Sequence, residues 1–124
     1  MILENFYTIK SKKLSEDNIN YTFEIVINNK HEIFKGHFPD NPVMPGVCMM
    51  QIIKEITEFV TGKKLFMEKC SNVKFLAIIN PDKTPNLILE IQILVIDSKV
   101  KIKNTTKFQD TLALKLSAQY QIIT

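Results

Sequence analysis

A chain of 124 residues, 45% hydrophobic and 23% charged, has the size and balance of one globular domain, 1–124. Its formal net charge of +3 rests on lysine alone, since all 16 basic residues are lysine. The bidentate arginine contacts that read guanine are therefore missing, and no nucleic-acid partner is expected.

No apolar run reaches the roughly 18 residues that span a bilayer, so no membrane span is expected. Met1 to Lys13 lacks the pattern of a secretory signal. The two cysteines, Cys48 and Cys70, belong to no metal-ligand cluster and form no disulfide framework. A cytoplasmic protein with free thiols and no bound metal is the expectation.

In chain order, Leu3 to Ile9 mixes apolar and polar residues and reads as a short strand or a helical turn. Ser11 to Asn20 is polar and reads as a loop. Tyr21, Phe23, Ile25 and Ile27 then alternate with polar residues, the period of a half-buried strand. Asn28-Asn29-Lys30 marks a turn. His31 has no motif around it and reads as an exposed polar residue.

Phe34 to Val47 holds three of the five prolines and two of the three glycines, which describes a rigid loop. His37 lies within it, between Gly36 and Phe38. The loop ends at Pro45-Gly46, where a helix can begin. A rigid loop that carries a histidine into a helix N-terminus suits a catalytic assembly. It suits a structural turn with a core histidine equally.

From Val47 to about Val60 the spacing predicts a helix. Met49, Ile52, Ile53, Ile56, Phe59 and Val60 make its apolar face, opposite Gln51, Lys54, Glu55 and Glu58. Gly62 is its stop, with Lys63 and Lys64 beside the negative end of the helix dipole. Strands follow within Lys64 to Ile79, then over Leu87 to Ile96, Lys99 to Phe108 and Thr111 to Ile122, with turns at Asp97-Ser98 and Gln109-Asp110. One helix followed by long strands with hairpin connections indicates an α+β domain with an antiparallel sheet. Its open edges imply at least a dimer.

The string Gly36-His37-Phe38-Pro39-x-x-Pro42-x-x-Pro45-Gly46-Val47 resembles the signature of the 3-hydroxyacyl-(acyl carrier protein) dehydratases of the FabZ and FabA type. Val73-Lys74-Phe75-Leu76 and Pro81-Asp82 resemble that family's next strand and turn. The resemblance implies a hot-dog fold, in which a curved antiparallel sheet wraps a long central helix. It also implies a homodimer or dimer-based oligomer with a tunnel at the subunit interface. The acyl chain would arrive on an acyl carrier protein, with no metal or redox cofactor.

Removing water from a 3-hydroxyacyl thioester needs a base near C2, an acid near the C3 hydroxyl, and stabilisation of the enolate oxygen. By resemblance His37 is the base, since histidine exchanges protons near neutrality. The Gly46 N–H, at a helix N-terminus, faces the developing oxyanion. Gly36, Phe38 and Val47 complete the implied substrate-binding set.

The chain departs from its relatives at position 51. The family's helix acid falls there, and this chain has Gln51, with Glu55 one turn on. Residues i and i+4 share a helix face, so acid and amide look exchanged. Glu55 lies about 6 Å further along the axis, a gap that a flexible side chain or a water on the Gln51 amide can bridge. The same residues also suit a plain polar stripe on an amphipathic helix. Three readings stand: a dehydratase of fatty acid or related lipid or polyene biosynthesis, an acyl-CoA or acyl-carrier thioesterase, and a half-catalytic acyl-binding subunit that pairs with a homologue.

Overall fold

Strands whose side chains alternate between core and solvent build one curved wall. A computed structural model describes residues 4–35 and 42–123. The strands are β1 (Tyr7–Leu14), β2 (Asn20–Ile27), β3 (Leu65–Phe75), β4 (Asn86–Ile96), β5 (Lys99–Phe108) and β6 (Thr111–Ile122), with one helix, α1 (Gly46–Thr61). A short 3-10 turn covers Glu32–Lys35. The six strands form one sheet in the order β1-β2-β4-β5-β6-β3, with every pairing antiparallel.

The inward rows are those that alternation predicts. Phe23, Ile25 and Ile27 of β2 are buried, as are Leu87, Leu89, Ile91 and Ile93 of β4. Val100 and Ile102 of β5 join Leu116, Ala118 and Tyr120 of β6 in the same core. Against them α1 presents Met49, Ile52, Ile53 and Ile56, all essentially inaccessible to solvent. Each such isoleucine contributes about 2 kcal/mol, an upper figure because unfolded chains already bury some apolar surface. This is the hot-dog architecture: one helix held by an antiparallel sheet of six strands.

The β4–β5 and β5–β6 hairpins close on two residues each. Asp97, between β4 and β5, has φ 55°, and Gln109, between β5 and β6, has φ 53°. Two-residue hairpin loops need such left-handed residues because their twist matches that of the strands. Gly62 ends α1 at φ 68°, and its N–H bonds to the Glu58 carbonyl, the ending its position predicts.

Three local expectations are corrected. Ser11 to Leu14, read as loop, continues β1, which pairs with β2 as far as Leu14↔Tyr21. As an edge strand, β1 is exposed along nearly its whole length, so no inward row marks it. Phe59 is 63% exposed, because α1 turns it off the core face while Cys48 and Thr57 turn in. The Lys12 ammonium lies 5.6 Å from the Phe59 ring centroid, a cation–π distance. His31 is half-buried, not exposed. Its Nδ1 accepts the Ile33 N–H at 3.1 Å, so its Nε2 is the donor to the Glu4 carbonyl at 3.1 Å.

Candidate active site

Gly46 is the first residue of α1, after Pro45 in extended conformation at φ −64°, ψ 138°. The Pro45 carbonyl accepts the N–H of Cys48 at 3.0 Å and of Met49 at 3.3 Å. That leaves the N–H groups of Gly46 and Val47 at the start of the helix, where no intrahelical acceptor exists. This end carries the positive pole of the helix dipole. A short sequence therefore presents donors suited to a developing negative charge. Val47 is 70% exposed.

Glycine at 46 has a steric reason. A Cβ there would lie 2.7 Å from Cζ of Phe75. The ring of Phe75, at the end of β3, thus lies against the first turn of α1. Phe75 falls within the resembling stretch Val73-Lys74-Phe75-Leu76, but no local signal places its ring against Gly46.

Gln51 and Glu55 meet directly. Gln51 Nε2 donates to Glu55 Oε2 at 3.0 Å. The i to i+4 spacing brings the two side chains together with no bridging water between them. The other carboxylate oxygen, Oε1, accepts the Tyr7 hydroxyl of β1 at 3.1 Å. Both residues are half-buried. Burial, then the neighbouring charge of Glu55 and the hydrogen bond to it, hold the Tyr7 phenol well above its ordinary value. Tyr7 was not a candidate in the sequence. It lies 48 residues from Glu55, and no local pattern links them.

Glu58 Oε2 accepts the Leu65 N–H at 2.9 Å, which ties the helix end to the start of β3. Gln51 and Glu55 line an open groove of about 540 Å³ together with Lys54, Glu58 and Lys63. A second groove, lined by Val47, Met50, Gln51, Lys54, Phe66 and Met67, runs between α1 and β3. Gln51 borders both. Gly36, His37 and Phe38 lie outside the described residues. Among the described residues no group of His, Cys, Asp and Glu is arranged to hold a metal ion, and no helix is long and apolar enough to cross a membrane.

Comparison with known proteins places this geometry in context. A family model for ApeI-like proteins, described as ApeI dehydratase, matches residues 11–113. A 3-hydroxyacyl-[acyl-carrier-protein] dehydratase FabZ of Lactobacillus helveticus is 30% identical over 104 residues, covering 78% of this chain and 68% of that protein. The FabZ of Lactococcus lactis subsp. cremoris is 31% identical over 114 residues, covering 77% of each. Among solved structures, the dehydratase heterocomplex ApeI:P from Xenorhabdus doucetiae superposes with TM-score 0.73 at 16% identity, covering 92% of this chain and 96% of that one.

Proposed function

We propose that this chain, which belongs to the ApeI-like dehydratase family and is a FabZ-like 3-hydroxyacyl-(acyl carrier protein) dehydratase relative, removes water from a 3-hydroxyacyl thioester using an acid moved along its helix. The observation that carries this reading is the 3.0 Å contact between Gln51 Nε2 and Glu55 Oε2. It brings a carboxyl group against the position where the resemblance puts the family's acid.

The chemistry runs as an elimination. His37 takes a proton from C2, and the freed electron pair moves toward the thioester carbonyl. The N–H of Gly46 meets the charge that develops on the oxygen. As the pair returns to form the C2–C3 double bond, the C3 hydroxyl leaves with a proton from Glu55 and departs as water. The proton on His37 and the vacancy on Glu55 are then reset through solvent. Gln51, which does not titrate, orients Glu55 or the departing hydroxyl. Gly36, Phe38 and Val47 shape the passage for the acyl chain.

We further propose that the chain arrives on an acyl carrier protein, with the net charge of +3 aiding its approach if the carrier is acidic. Two free cysteines support a cytoplasmic setting. The edge strand β3, with Phe66 and Phe75 more than half exposed, supports pairing with a second subunit, since bare edges are normally covered.

A second reading has its own support. The Xenorhabdus doucetiae structure is of a dehydratase heterocomplex, so a partner-dependent subunit is the alternative to a self-sufficient homodimer. One experiment separates these readings and thioester hydrolysis. The pure chain is incubated with a 3-hydroxyacyl thioester, and water loss is followed by the absorbance of the conjugated product while free thiol is titrated. Water loss supports the dehydratase, and thiol release supports the thioesterase. Neither product from a chain that forms dimers supports the partner-dependent subunit.

A further inference from the structure

We infer that Tyr7 is a positioning residue for this reaction, holding the Glu55 carboxyl from β1. The inference rests on the dehydratase reading above. Its geometry comes from two different elements. The Tyr7 hydroxyl reaches Glu55 Oε1 at 3.1 Å, while Gln51 holds Oε2 at 3.0 Å. One oxygen is thus fixed from the sheet and the other from the helix.

A carboxyl group on an exposed helix flank swings about its χ angles unless packing or hydrogen bonds lock it. Reacting groups misplaced by about 1 Å lose on the order of 100-fold in rate. Glu55 stands one turn beyond the position where the resemblance puts the family's acid, so it depends more on such a lock. Gln51 rides on the same helix as Glu55, so its hydrogen bond does not tie the carboxyl to the sheet. Tyr7 supplies that tie, since β1 is anchored independently through its pairing with β2, Tyr7↔Ile27.

The chemistry of the phenol suits the role. Burial and the adjacent carboxylate keep the hydroxyl protonated across the physiological range, so it stays a donor and does not exchange its role during turnover. The ring packs against the hydrophobic core, which fixes the hydroxyl in space. Tyr7→Phe removes the oxygen and keeps that packing.

The test is a double-mutant cycle on the full chain, using the 3-hydroxyacyl thioester assay. Tyr7→Phe is expected to lower kcat by roughly 3- to 10-fold, the worth of one hydrogen bond to the protonated acid, with KM within about twofold. In a Glu55→Gln background the same change is expected to have no further effect on residual kcat, because Tyr7 acts through Glu55. Native kcat in Tyr7→Phe overturns the inference, as does a rise in KM alone. So does an equal loss in both backgrounds, which marks a merely structural tyrosine. A native chain that forms no enoyl thioester overturns the dehydratase reading and this inference with it. A native chain that is active and loses activity on Glu55→Gln, but ignores Tyr7→Phe, overturns this inference alone.

Discussion

Replacing Gln51 with glutamate puts an oxygen where Nε2 now donates to Glu55 Oε2 at 3.0 Å. Two acceptors then face one another, and the contact survives only with a proton between them. At that distance and an effective dielectric of ~20, two full charges repel by roughly 5 kcal/mol. The groove is open, and Lys54 and Lys63 line it beside Glu58, so solvent and nearby cations reduce the figure. Half of it, about 2.5 kcal/mol, still corresponds to about two pH units. The Gln51→Glu pair therefore keeps one shared proton to somewhere between roughly pH 6 and pH 8.

The sign follows from linkage. The unfolded variant ionises the added carboxyl near pH ~4.3, while the folded pair holds its proton longer. Relative to the native chain, the variant's stability is intact below that value. It is lost progressively as pH rises through the folded value of the pair. Denaturant titrations of both proteins at pH 4.5 and pH 8.5 are expected to show a gap that opens by about 2 kcal/mol or more at the higher pH. Below the folded value the shared proton sits where the family's acid falls, so dehydration is expected to be preserved or raised. An equal gap at both pH values refutes the reasoning, for it means the two side chains do not meet in solution.

The other predictions are simpler. His37→Ala is expected to lower dehydration by roughly 10²- to 10⁴-fold, the usual reach of a positioned acid–base group; unchanged turnover in a folded variant removes His37 from the mechanism. Gly62→Ala has open space for its methyl, yet the residue sits at φ 68°, so a loss of about 1 kcal/mol is expected in urea unfolding. A neutral result there means the helix end relaxes. Burial pushes the thiols of Cys48 and Cys70 up, so both should alkylate more slowly than a free model thiol at pH 7.5. Cys70, half-buried, is expected to react before the buried Cys48, as mass spectrometry of the labelled peptides will report.

The alternating rows of β2, β4, β5 and β6 and the apolar stripe of α1 were legible from the residues, because period and turn chemistry are local. The hairpin residues Asp97 and Gln109, and the stop at Gly62, follow from the same short-range logic. β1 was half missed because an edge strand exposes both faces and carries no inward row. Phe59 was misjudged because the width of a buried helix face is set by what packs on it.

The sequence by itself determined the fold class and carried the family's motif, and by resemblance it reads as an exchange of acid and amide along the helix. Only the tertiary structure decided that Glu58 serves the backbone of β3 and that Tyr7 reaches Glu55 from β1. Those contacts depend on where a distant strand lies against the helix. Spacing along a chain gives the period of one element, but the distance between two elements is settled only when they pack.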